Sequence, residues 1–190
     1  MPIDPQEWLQ NSAPLSFDRV EEESTPSEDE ADAESVASTI ALRKLAARGR
    51  TRYELDQALQ AKNVPPSVKD AVLDRMQEVG LVDDASFAAD WVASRQQRRH
   101  LSRRALRREL DAKGVERSDI DSALNDVDLD SELTTARDLV ERKRATMSGL
   151  ARDVQYRRLA GILGRRGFDT AVTVHVLNEL FGPVSGERHT

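Results

Sequence analysis

The chain has 190 residues, a net charge of −6, 38% hydrophobic and 33% charged residues, and no cysteine. That is room for one or two conventional domains or one repeat array, with a modest core under a highly charged surface. The missing cysteines exclude disulfides and thiolate chemistry and suit a cytoplasmic protein. No run approaches the ~18 apolar residues of a membrane span, and Met1-Pro-Ile-Asp-Pro lacks the basic and apolar regions of a secretory signal.

The charge is uneven. Residues 1–35 hold 11 Asp or Glu and one Arg, so this stretch carries −10 and the remainder +4. Low hydrophobicity, Pro, Ser and clustered acid predict a disordered extension there. Three readings of it stay open: a solubilising tail, an acidic mimic of nucleic acid that competes for a basic surface, and a partner-binding patch built on Trp8, Leu9, Leu15 and Phe17.

Beyond residue 35 the apolar spacing predicts helices throughout. A first helix is expected over about 35–47, and its counterparts over about 84–99 and 131–145. Each is followed by a second helix that ends in the same way. The endings read Leu59-Gln60-Ala61-Lys62-Asn63-Val64, Leu110-Asp111-Ala112-Lys113-Gly114-Val115 and Leu163-Gly164-Arg165-Arg166-Gly167-Phe168. The basic residues lie 51 and then 53 positions apart, a period of a repeat architecture. Gly or Asn enters the left-handed conformation that stops a helix, and the flanking Leu and apolar residue meet in a Schellman-type end. The basic residue faces the negative end of the helix dipole. One turn earlier, Leu55, Leu106 and Leu159 share the apolar face.

Helix starts are legible as well. Thr51 with Glu54, Ser67 with Asp70 and Ser118 with Asp121 fit capping boxes, and Ser102 caps a helix stapled by Leu101 and Leu106. A third helix follows each stop, marked by Val72, Leu73 and Met76, then Ala123, Leu124 and Val127, then Val176, Leu177 and Leu180. The expected fold is all-α. Three tandem three-helix repeats (36–82, 83–129 and 130–182) form an elongated, curved array, with an acidic disordered extension at 1–35 and a flexible tail at 183–190.

The densest basic run joins the first two helices of the middle repeat. Arg95, Arg98, Arg99, His100, Arg103, Arg104, Arg107 and Arg108 lie within 14 residues with no acid among them. Phe87, Ala88, Trp91 and Val92 form a buried stripe, so Trp91 is expected in the core and the arginines in water. Both a solvated face and a polyanion-binding face fit such a run, and Arg offers the forked donor that phosphate and carboxylate accept. The third repeat adds Arg142, Lys143, Arg144, Arg157 and Arg158, partly balanced by Asp138, Glu141 and Asp153. In contrast, residues 118–130 hold Asp119, Asp121, Asp126, Asp128 and Asp130 and no basic residue. Phosphates repel an acidic helix there, which argues against a helix-turn-helix that reads base sequence. Aromatic residues are 4% of the chain, too few for a base-stacking platform.

Nothing in the sequence marks a catalyst. It holds no GxxxxGK[ST] loop, and no GxGxxG after a strand. His100, His175 and His189 are too scattered for a metal site, and His175 reads as a packed or capped helix residue. No catalytic residue, cofactor or metal is expected.

From Gly80-Leu81-Val82-Asp83-Asp84-Ala85-Ser86-Phe87-Ala88 through Trp91-Val92 and Arg95 to Glu109-Leu110-Asp111-Ala112-Lys113-Gly114-Val115, the chain resembles the RecX family of recombination regulators. The preceding repeat, Arg52-Tyr53-Glu54-Leu55 to Lys62, is similar too, and the resemblance spans roughly 36–182. The chain departs from the family at His100-Leu101-Ser102, where many relatives place Gly, at Asn63 in place of the commoner Gly, and in its acidic extension. The resemblance implies a regulator that binds RecA or the RecA–DNA filament along its groove. Such a regulator limits assembly, ATP hydrolysis, strand exchange and co-protease activity, and so recombination, repair and the SOS response. It implies no enzyme. A nonspecific DNA-binding protein, taking single- or double-stranded DNA without RecA, is the alternative that charge alone allows. The chain is expected to act as a monomer with no membrane partner.

Overall fold

The computed structural model describes residues 28–182, which form nine α-helices, a single 3-10 turn and no strand among them. In chain order these are α1 (Glu28–Ala47), α2 (Arg52–Gln60), α3 (Pro66–Glu78), α4 (Asp84–Arg99), α5 (Arg103–Asp111), α6 (Arg117–Ala123), α7 (Leu129–Arg144), α8 (Arg152–Arg165) and α9 (Thr170–Phe181). The 3-10 turn, Ala145–Met147, extends α7. The helices group as α1–α3, α4–α6 and α7–α9. Each unit closes its own core, around Leu55, Leu59 and Leu73, then Leu106, Leu110 and Leu124, then Leu159, Leu163 and Leu177. All nine of these leucines are fully buried, and each contributes roughly 2 kcal/mol of burial. The molecule is therefore an all-helical array of three-helix repeats.

One boundary differs from expectation. α1 starts at Glu28, inside the stretch 1–35 assigned to the disordered extension. Ala31 and Ala33 are strong helix formers, Ala33 packs against the first core, and Glu34 pairs with Arg75 at 2.6 Å. These contacts outweigh the local acidity. The rest of the expected extension, 1–27, and the tail, 183–190, lie outside the described residues.

All three helix endings close as Schellman motifs. The Val64 amide donates to the Leu59 carbonyl at 3.2 Å, Val115 to Leu110 at 3.3 Å, and Phe168 to Leu163 at 3.2 Å. The inner bonds run from Asn63, Gly114 and Gly167 to the carbonyls of Gln60, Asp111 and Gly164. Asn63, Gly114 and Gly167 have φ of 58°, 69° and 91°.

Starts follow expectation in part. Thr51 and Ser102 cap α2 and α5, accepting from the Glu54 and Ala105 amides. Ser67 and Ser118 do not cap. α3 opens one residue before Ser67 with Pro66 at its first position, where the preset φ and missing N–H replace a side-chain cap. α6 opens at Arg117, which places Ser118 inside the helix. Asp83, Asp128 and Asp169 cap α4, α7 and α9 instead.

Units meet through one repeated joint. The start of α2 faces the second unit: Thr51 Oγ1 donates to the Lys113 carbonyl at 2.7 Å, and the Arg52 amide donates to Asp84 Oδ1 at 2.9 Å. The start of α5 faces the third unit in the same way. The Ser102 amide donates to the Arg166 carbonyl at 3.1 Å, and the Arg103 amide donates to Glu132 Oε1 at 2.8 Å. At both joints the later unit thus lends its helix ending and one acid to the helix start of the unit before it, taking the Thr51 hydroxyl and the Arg52 amide at the first and the Ser102 and Arg103 amides at the second. Thr51 and Ser102 are buried as a result.

Candidate binding surface

The basic run divides once its neighbours are in place. Glu109 follows the run directly and neutralises two members: Arg95 pairs with it at 2.8 Å and Arg99 at 3.2 Å. Trp91 donates its indole N–H to the same carboxylate at 2.9 Å. That ring is half-buried rather than a core residue, stacked on Phe87 and covered by Arg95 at 3.8 Å and Lys113 at 4.3 Å. Arg103 turns inward and donates to the Leu124 and Val127 carbonyls at 2.7 and 2.8 Å. Arg107 reaches Asp121 on α6 at 2.5 Å. The expectation that the arginines face water is therefore corrected for Arg95, Arg103 and Arg107. A period of 3.6 places them on the flanks of α4 and α5, where neighbouring helices supply acceptors.

Arg98, Arg104 and Arg108 are exposed and make no ion pair among the described residues. Arg104 and Arg108 are one turn apart on the outer face of α5. The third unit brings a second group to the end of α4. Arg142 Nη1 lies 3.3 Å from His100 Nε2, and Lys143 is exposed beside it. Burial, and then the charges of Arg142, Arg166 and Lys143, hold the His100 imidazole below its ordinary value against the pull of Asp138. His100 itself occupies the left-handed region at φ 51°. Arg98, Arg99, Arg104 and Arg108 on the second unit and Arg142 and Lys143 on the third are the exposed members, termed the basic ridge below, and the Arg142–His100 contact links the two units.

Other expected members lie apart from it. Arg144 points toward the Phe181 ring, 6.0 Å from its centroid, and Arg157 pairs with Asp153 at 3.2 Å. Arg158 is exposed on α8 with no ion pair among the described residues. His175 is exposed and contacts Glu179 at 3.0 Å. Arg48 and Arg50, which sequence reasoning passed over, line a groove between the first two units. Their signal was modest, two basic residues just before the Thr51 cap. No group of His, Asp or Glu among the described residues could hold a metal ion, and no described helix is long and apolar enough to cross a membrane.

Comparison with known proteins agrees with the three-helix units. Residues 37–76 match the RecX first three-helix domain, and residues 83–124 match the RecX second three-helix domain. The regulatory protein RecX of Streptomyces coelicolor is 46% identical over 143 residues, 75% of this chain and 76% of that protein. The chain belongs to the RecX family. Regulatory protein RecX of Mycobacterium marinum is 44% identical over 153 residues, covering 80% of this chain and 88% of the relative. The crystal structure of RecX from Lactobacillus salivarius shares the fold, with a TM-score of 0.68 at 19% identity over 79% of this chain and 97% of that one. The family is a regulatory one, and the matched domains correspond to the first two helical units.

Proposed function

We propose that the chain binds RecA or the RecA–DNA filament and inhibits its assembly and its ATPase, strand-exchange and co-protease activities, acting in the cytoplasm as a single chain. This modulates recombination, repair and the SOS response. It is a binding regulator rather than a catalyst and uses no cofactor. The observation that carries the reading is the unbalanced ridge of Arg98, Arg104 and Arg108 on a member of the RecX family. An array of repeats presents such a ridge over a length that spans more than one protomer of a filament, and simultaneous contacts add avidity when the geometry allows them together.

The test is charge reversal on exposed positions. The triple variant Arg98→Glu, Arg104→Glu, Arg108→Glu should keep its helical circular dichroism. Its half-inhibitory concentration against the single-stranded-DNA-dependent ATPase of RecA should rise at least about tenfold, about 1.4 kcal/mol. Unchanged inhibition would remove the ridge from the interface. The same ridge also suits nonspecific binding to single- or double-stranded DNA. That reading predicts salt-steep DNA affinity with RecA activity unaffected at matched salt.

A further inference from the structure

Between the first and second units runs a groove of about 470 Å³, within the size range of binding sites. Its lining is apolar at Leu45, Leu81, Phe87 and Trp91 and basic at Arg48, Arg50 and Arg95. Leu81 is 52% exposed. Its acids are Asp83, which caps α4, and Asp90, and Arg95 is held by Glu109. Arg50 approaches Glu54 only at 3.8 Å, and Lys113 holds that carboxylate more closely, at 2.8 Å. The Arg50 Nε is buried without a hydrogen-bond partner. Arg48 is exposed and makes no ion pair among the described residues. Apolar side chains beside the unpaired Arg48 and the loosely held Arg50 suit a ligand with aromatic or aliphatic side chains and interspersed carboxylates.

We propose that the groove is a docking site for the chain's own N-terminal segment, residues 4–23. The composition complements the groove in both respects. Trp8, Leu9, Leu15 and Phe17 supply apolar side chains, and the segment carries six acids against one arginine. Reach permits it. The groove borders α1 at Leu45, 17 residues from the start of that helix at Glu28, which is about 26 Å of helix. The 11 residues from Phe17 to Glu28 span up to about 36 Å when extended. Tethering raises the effective concentration of the segment to the millimolar range, so a weak contact suffices. Arg95 belongs both to the groove and to α4, one turn before Arg98 and Arg99. A docked segment therefore sets its carboxylates beside the ridge, where they compete with any anionic partner.

The natural absence of cysteine makes the test clean. A Ser16→Cys full-length chain is spin-labelled, and amide signals are read by NMR with the label oxidised and reduced. The expected result is loss of the Gly49, Leu81 and Ser86 signals while those of α9 persist. Leu81→Ser and Arg48→Glu, both at exposed positions, should each restore the lost signals without changing the thermal midpoint. Three outcomes overturn the proposal: no selective loss, loss centred on α5 and unaffected by either substitution, or loss that appears only on mixing labelled chains with isotope-enriched cysteine-free ones. The last would assign the contact to a second copy. No arm requires RecA, so this proposal and the functional one can fail separately.

Discussion

Arg103 donates its guanidinium to two carbonyls at the end of α6, while Arg104, the next residue, meets no acid among the described residues. Arg103→Ala leaves both carbonyls without this donor and should cost about 1–3 kcal/mol. Arg104→Glu should change stability by less than about 0.5 kcal/mol. Urea denaturation of the two variants measures the contrast. Helical spacing made Arg104 legible as a surface residue. It could not show that α6 would end beside Arg103, or that Glu109 would fold back between Arg95 and Arg99, since both depend on how helices pack.

His100 carries a second prediction at this scale. Its folded state resists protonation, because burial and Arg142 disfavour the imidazolium. A depressed histidine leaves stability intact above the unfolded value, about 6.5. Stability is then lost as pH falls through that value toward the folded one. The melting temperature should drop as pH falls below about 6.5. His100→Asn, which tolerates the left-handed backbone, should flatten that step. An identical step in the variant would assign the pH dependence to other groups.

Among elements, the three helix endings share one hydrogen-bond scheme but differ in what covers them. A Cβ on Gly114 would collide with the Tyr53 ring, and one on Gly167 would lie 2.6 Å from Ser102 Oγ and 2.8 Å from Ala105 Cβ. Asn63 closes the first unit, which no other unit precedes among the described residues, and is exposed. That difference explains why Asn serves there and Gly is required later. Gly167→Ala should cost about 2 kcal/mol or more, from left-handed strain together with overpacking. Asn63→Gly should be nearly neutral. Thermal unfolding of both variants checks the prediction. The stops themselves were plain in the sequence, since Leu, basic residue and Gly each have a separate reason to be there. Ser67 and Ser118 misled because short hydroxyl-to-acid spacings occur inside helices as readily as at their starts. The Pro65-Pro66 pair was the stronger signal at α3.

For the whole molecule, separate cores joined by small contacts make stability a sum of unit terms and nearest-neighbour terms. Thr51→Val removes both the cap of α2 and the bond to the Lys113 carbonyl, about 1–2 kcal/mol. Hydrogen exchange should accelerate in α1–α3 and stay unchanged in α7–α9. Uniform acceleration would show that the units unfold together. The existence of three units could be read from the 51- and 53-residue spacing. The joint could not, because it pairs a helix start with a helix ending more than 60 positions away.

The joint is also directional: a helix start on one unit meets an ending on the next. Head-to-tail contacts of this kind generate open fibres when both outer ends remain competent. Here neither outer end matches its internal counterparts. The first ending carries the Asn63 side chain where the internal ones have Gly, and α8 begins after Ala151, with no hydroxyl cap to offer. At the first of these the Asn63 side chain occupies the space that Gly114 and Gly167 leave open to the helix start of a neighbouring unit.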